Sequence, residues 1–222
     1  MRQTWRDLTF LHWRYDPAAV RRLVPPDLQL DLHEDAAWVG LVPFLITGLS
    51  GPGALTMPWL SKFPETNVRT YVMDRTGSRG VWFFSLDAAR LPAVIGARIT
   101  YALPYFWARM KVRSGGATAH YTSTRLAGPK AESDIRVEIA APVTLPSELE
   151  LFLTARYRLY ARRRGRLWKA DIEHDPWPLQ RARVLELKEN LVRAAGLPDP
   201  EGEPLALFSR TLDVAIGRLD IA

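Results

Sequence analysis

Residues 63–72 read Phe63-Pro64-Glu65-Thr66-Asn67-Val68-Arg69-Thr70-Tyr71-Val72, and their alternation decides the fold class. Successive side chains of a strand point to opposite faces of the sheet. Thr66, Val68, Thr70 and Val72 therefore form one β-branched face, and Glu65, Asn67, Arg69 and Tyr71 form the other. An acid, an amide, a guanidinium and a phenol in one row fit two settings. One is a solvated face, the ordinary in/out pattern of antiparallel sheet. The other is a polar interior facing a ligand cavity. The bulky apolar flank Met57-Pro58-Trp59 favours the cavity, as does a similar polar and aromatic mix from Tyr101 to Arg109. The stretch predicts a polar-lined pocket in a β-rich fold.

Working outward, residues 8–13 alternate as a first strand. Asp16-Pro17 is an N-cap and first-turn pair for a short helix over 18–23, stopped by Pro25-Pro26. Leu28, Leu30 and Leu32 mark a strand, His33-Glu34-Asp35 a turn, and 36–47 the returning strand. Residues 48–58 are rich in Gly and Pro and have the length of a lid loop. Residues 80–86 are apolar on both faces, which makes that strand central. Residues 88–101 have helical spacing and end before Pro104. Strands are predicted at 105–113, 117–126 and 135–140, then a short helix from Ser147 to Phe152. A hairpin pairs 156–162 with 166–172 about Arg163-Arg164-Gly165. A strand at 184–187, a helix at 190–195, and closing strands at 205–208 and 212–216 complete the chain. With no repeat or linker, residues 1–222 are expected to form a single α+β domain on a curled, mainly antiparallel sheet.

Composition narrows the classes of function. The chain of 222 residues is 47% hydrophobic and 10% aromatic, enough for a sizeable core. It has no cysteine, which excludes disulfides, thiolate metal sites and thiol nucleophiles. Residues 1–7 carry no apolar signal core, and no window approaches the roughly 18 apolar residues of a membrane span. A soluble cytoplasmic protein with no membrane partner is the expectation. The net charge of +6 raises nucleic acid as a partner. Of thirty basic residues only Lys62, Lys111, Lys130, Lys169 and Lys188 are lysine, and the one dense cluster, Arg162-Arg163-Arg164-Gly165-Arg166, sits on the hairpin turn. Solvated turn arginines explain that cluster without a nucleic-acid face.

Several longer phrases occur together and in order: Phe10-Leu11-His12-Trp13-Arg14, Pro64-Glu65-Thr66-Asn67-Val68-Arg69-Thr70-Tyr71, Gly80-Val81-Trp82-Phe83-Phe84-Ser85-Leu86-Asp87, Phe152-Leu153-Thr154-Ala155-Arg156-Tyr157 and Glu173-His174-Asp175-Pro176-Trp177-Pro178-Leu179. In these the chain resembles, nearly end to end, the YqjF-like proteins of domain-of-unknown-function family 2071, which have no agreed biochemical activity. That family is similar to the acetoacetate decarboxylase-like superfamily. The resemblance implies a double-layered antiparallel β-barrel or cone with a few short helices and an internal pocket. It rests on Leu23-Val24-Pro25-Pro26-Asp27-Leu28, on Glu65 at the place of a pocket-strand glutamate, and on Tyr101-Ala102-Leu103-Pro104-Tyr105-Phe106-Trp107 at the place of a Gly-Phe-Pro-Lys-Lys run. The Schiff-base lysine position is then Tyr105. A phenol forms no imine, and Lys111 lies about 20 Å away along the strand, so imine-forming decarboxylation is set aside.

The candidate catalytic residues are Glu65, Tyr105 and His174, and the candidate ligand-binding residues are Asn67, Arg69, Arg98, Tyr101 and Trp107. Arg69 and Arg98 are fork donors suited to a carboxylate or phosphate. Glu65 is an acid or base if burial raises its pKa, with an arginine from across the barrel expected beside it to lower it. Tyr101 and Tyr105 are donors to a developing oxyanion, and Trp59 and Trp107 are candidate cavity walls. The four histidines lack any metal-ligand spacing, and neither metal nor cofactor is expected. The leading expectation is a protein that binds or converts a small anionic organic molecule, with homo-oligomerisation left open. The alternative is a non-catalytic structural or interaction protein whose pocket is filled by Tyr105, Phe106 and Trp107.

Overall fold

The computed structural model describes residues 1–50 and 62–222. In chain order the elements are β1 (Arg2–Tyr15), α1 (Pro17–Arg21), β2 (Gln29–Leu30), β3 (Ala37–Ser50), β4 (Phe63–Met73), β5 (Arg79–Ala88), α2 (Leu91–Tyr101), β6 (Tyr105–Gly115), β7 (Thr118–Arg125) and β8 (Glu132–Pro142). There follow α3 (Glu148–Thr154), β9 (Arg158–Arg163), β10 (Arg166–Glu173), β11 (Leu179–Glu189), α4 (Leu191–Ala194), β12 (Leu205–Ile216) and β13 (Asp220–Ile221).

Local chemistry sets the corners. The Asp74 carboxylate accepts from the backbone N–H of Thr76 at 2.9 Å and of Ser78 at 3.1 Å, and Gly77 takes φ +79°, turning β4 into β5. Arg164 and Gly165 both have positive φ between the paired Arg163 and Arg166, the geometry of a two-residue hairpin. Asp16 caps α1 through the Ala18 N–H at 3.0 Å, and Ser147 with Glu150 forms a reciprocal capping box on α3.

The described strands make one hydrogen-bonded sheet that closes on itself twice. One ring runs β5-β6-β7-β8-β11-β12-β1-β3-β4 and back to β5 through the β4–β5 pairing. A smaller ring leaves β5 through β9 and β10 and rejoins at β12. Strands β12, β1, β3, β4 and β5 are common to both, which covers nearly all of β4 and the middle of β1 and β3 on both faces. Pairing is antiparallel except for the short parallel contacts of β5 with β6 and with β9, where the two rings diverge. The larger ring is packed with side chains, among them Leu11, Leu41, Val68, Tyr121, Ile135 and Val137. The smaller ring is capped by α2 and is not filled.

Several boundaries differ from the sequence reading. Ala88 is still strand, paired with Glu65, and α2 starts at Leu91 with Pro92 in its first turn. The two expected closing strands are one, β12, because it changes partners along its length, from β11 to β10, and so breaks its own alternation. Strand β3 runs on through Ser50; the rest of the expected lid loop, with Met57, Pro58 and Trp59, lies outside the described residues. Among the described residues no helix is long and apolar enough to cross a membrane.

The divergence of the rings requires a close approach at Gly80. A Cβ there would meet Tyr160 Cε2 at 2.7 Å and the Arg158 carbonyl oxygen at 2.8 Å, so β9 has no room to stay against β5. Gly80→Ala is expected to destabilise the protein by about 1–3 kcal/mol in a denaturant melt. A neutral result would show that the β5–β9 junction is not tightly set.

Candidate functional site

All seven strands of the smaller ring, together with α2, line a cavity of about 290 Å³. Its wall is mainly hydrocarbon and aromatic, including Phe44, Phe63, Phe83 and Trp177. This corrects the expectation of a polar-lined pocket. The polar groups are few and concentrated: the inward row of β4, Glu65, Asn67 and Arg69, faces Tyr105, Arg156 and His174 from other elements. The opposite row, with Val68 and Val72, packs into the larger ring. β4 is buried on both faces because both rings share it. A bulge in β5 leaves Phe84 without a partner between the pairs Arg69–Phe83 and Val68–Ser85. It shifts the inward row of β5 from Val81 and Phe83 to Leu86.

Glu65 is 4% exposed. Burial is the main cause that pushes its carboxyl up to about 8. The Tyr105 hydroxyl donates to Glu65 Oε2 at 2.8 Å, which opposes the rise, and the charge of Asp87 adds to it. The arginine expected beside Glu65 is not there. Arg125, on β7, instead serves Asp87 of the neighbouring β5, whose Oδ1 accepts from its Nε at 2.8 Å in a fully buried pair. Burial raises Asp87 to about 6 against the pull of Arg125. The Tyr105 hydroxyl is held well above its ordinary range by burial and by Glu65. At neutral pH the site therefore offers a protonated carboxylic acid and a neutral phenol.

Arg69, 8% exposed, stands at the other end of the row. It lies over the rings of Phe10 and Tyr71 at 5.5 and 5.7 Å, and its Nη2 donates to the Leu153 carbonyl at 3.5 Å. Its Nε has no partner, and no carboxylate of the described residues forms an ion pair with it. Residues 51–61 contain no acid. Asn67 Oδ1, between Glu65 and Arg69, is also buried without a partner. Arg156 differs: Asp31 accepts from its Nη1 at 2.5 Å and the Phe152 carbonyl from its Nε at 2.6 Å. Behind both arginines the Tyr71 hydroxyl donates its one proton to the Leu153 carbonyl at 2.8 Å, so His12 Nε2–H donates to Tyr71 at 2.5 Å. Burial, then Arg69 and Arg156, hold His12 well below its ordinary pKa, as a neutral ring.

The remaining candidates divide. Tyr101 lines the cavity from the end of α2 and donates to the Gly217 carbonyl at 3.1 Å. His174 lines the rim, its Nδ1 donating to the Asp175 carbonyl at 2.7 Å and its ring 4.7 Å from that of Tyr157. Arg98 does not face the cavity: it is exposed on α2 and donates to the Tyr105 carbonyl at 2.7 Å, because its place on the helix turns it outward. Trp107 is not in the wall either, and packs with the cluster of Phe10, Phe44 and Leu207. Phe106 covers Arg125 at 4.1 Å instead of filling the pocket. Sequence reasoning missed Arg156, His12, Asp87 and Arg125 as parts of this network. Three of the four stand inside phrases already singled out, but nothing along the chain marks their partners, which are 36 to 125 residues distant. Among the described residues no three His, Asp or Glu side chains are grouped to hold a metal ion.

Comparison with known proteins follows this geometry. The family model DUF2071, an uncharacterized conserved protein family, matches residues 2–213. The uncharacterized protein YqjF of Bacillus subtilis strain 168 is 42% identical over 217 residues, covering 96% of this chain and 89% of that protein. The enduracididine biosynthesis enzyme MppR complexed with pyruvate superposes with a TM-score of 0.70 at 15% identity, over 99% of this chain and 89% of the other. Acetoacetate decarboxylase from Legionella pneumophila gives 0.69 at 13% identity, over 99% and 86%. The fold is acetoacetate decarboxylase-like, as the two structures share it with this chain.

The raised carboxyl of Glu65 couples stability to pH. Its folded pKa of about 8 exceeds the ordinary 4.5, so the native state holds the extra proton between these values. Stability from this group is full below about pH 4.5 and is lost as pH rises through 8. Glu65→Gln should remove that slope. From pH 5 to 8.5 wild type should lose on the order of 2–5 kcal/mol relative to the variant in paired denaturant melts. Parallel pH profiles for the two proteins would sink this assignment.

Proposed function

The chain belongs to the DUF2071 family, and from that premise we propose that its cavity binds, and through Glu65 converts, a small organic carboxylate. The observation that carries this reading is Arg69, a buried guanidinium with an unpartnered Nε and no counter-ion in the cavity wall. A buried charge without a partner is costly, and a ligand carboxylate supplies the partner. Pyruvate bound to a protein of the same fold supports an acid of this kind. Glu65 is the proton source, close enough to Tyr105 to be held in one orientation. The chemistry such a pair serves is proton donation: Glu65 gives its proton to the enolate carbon or oxygen of a ligand, and the carboxylate left behind keeps the hydrogen bond from Tyr105.

Imine chemistry is not part of the proposal. Tyr105 supplies no amine, and none of the described lysines lines the cavity. A filled, non-catalytic pocket is the competing reading, but Phe106 and Trp107 point elsewhere and leave the space open. The cysteine-free sequence fits a reducing compartment, and we take the cytoplasm as the site of action.

Arg69→Met tests the central point. The apo variant should stay within about 1 kcal/mol of wild type, because the change removes a charge that has no partner. Thermal stabilisation by carboxylates, screened from pyruvate to aryl-substituted acids, should disappear. A variant that is severely destabilised yet responds to acids as wild type does would make Arg69 a scaffold residue.

A further inference from the structure

The cavity also restricts which acid fits, an inference that rests on the carboxylate site just proposed. Three polar side chains stand on one row of β4: Arg69, Asn67 and Glu65. Alternate residues of a strand are about 6.7 Å apart, so the arginine and the acid are rooted about 13 Å apart. An acid with adjacent carboxylate and carbonyl groups, such as pyruvate, is too short to reach both. Between the two ends the wall is apolar. Phe44 and Phe83 come from the sheet, Trp177 from the rim, and α2 turns the small residues Ala93, Gly96 and Ala97 inward, which leaves width beside the row. A space of 290 Å³ corresponds to roughly ten waters at about 30 Å³ each, and so to a ligand of about ten non-hydrogen atoms.

We infer that the ligand is an elongated oxo acid with a hydrophobic body, its carboxylate on Arg69 and its carbonyl oxygen, two or more carbons removed, on the Glu65–Tyr105 pair. The buried Oδ1 of Asn67 lies between these ends and takes a hydrogen-bond donor, a hydroxyl of the ligand or a water carried with it. The three groups thus read, in order along the strand, as cation, acceptor and proton donor. Coenzymes and nucleotides are excluded by size, and short hydrophilic acids leave the apolar wall uncovered.

The test is calorimetric titration of the intact protein near pH 7 with four probes. They are 4-oxo-4-phenylbutanoate, 4-phenylbutanoate, phenylpyruvate and pyruvate. The expected order places 4-oxo-4-phenylbutanoate first, roughly tenfold or more tighter than pyruvate from burial of the ring. It should also exceed 4-phenylbutanoate, which lacks the carbonyl, and phenylpyruvate, whose carbonyl is adjacent to the carboxylate. In Glu65→Leu the advantage over 4-phenylbutanoate should vanish while both acids still bind. In Arg69→Met both should weaken together. If phenylpyruvate binds as well as the longer oxo acid, or pyruvate as well as either, the elongated apolar ligand is wrong and the carboxylate site stands. If every acid binds Arg69→Met as it binds wild type, or none binds wild type, the carboxylate site itself is wrong. Thermal melts of each variant, with Glu65→Gln as the milder replacement, separate loss of fold from loss of binding.

Discussion

Strand β5 carries the constraint on which the architecture depends. It pairs with β4 along its length, then hands its two ends to β9 and β6 in short parallel contacts. One strand thereby closes two rings, and every strand common to both has to be buried on both faces. That is why β4 is almost wholly buried although it alternates in chemistry, and why β1 and β3 are buried along their middle stretches. In an ordinary antiparallel sheet the polar row of β4 would face water. Here closure leaves the row facing a cavity.

Desolvation then sets the electrostatics. Burial dominates at Glu65 and outweighs the phenol hydrogen bond, so the carboxyl is neutral at pH 7. The same low-dielectric setting gives other buried charges a counter-ion, Asp87 with Arg125 and Asp31 with Arg156. Arg69 is the exception in the cavity wall. Among the described residues the rings of Phe10 and Tyr71 and the Leu153 carbonyl hold it in place but leave its charge uncompensated. Two acids are neutralised by arginines, Glu65 by a proton, and Arg69 has no counter-ion.

The fold is shared with MppR and with acetoacetate decarboxylase, and a shared fold does not fix a reaction. An internal cavity lined by one polar strand row does not require an amine. Here the Tyr105 hydroxyl is directed at Glu65, and a phenol supplies no amine. Neighbouring positions adjust to this: Phe106 stacks on Arg125 and closes the back of the Glu65 site, leaving Trp107 to the core.

The alternation of residues 63–72 by itself determined that an acid, an amide and a guanidinium share one face, because a period of two is a local property of extended backbone. The apolar run of 80–86 likewise determined a central strand, and the phrases along the chain determined the family. What faced that polar row was decided only by tertiary structure. Ring closure through β5 chose a cavity over solvent, and the wall opposite, drawn from strands and a helix scattered over the chain, proved mostly apolar. Which arginine meets which acid was equally beyond local reading: the strand carrying Asp87 brings Arg125 to it, Arg156 is spent on Asp31, and helix phase turns Arg98 to the outside. Coulomb pairing depends on distances across the sheet, and those exist only once the rings are closed.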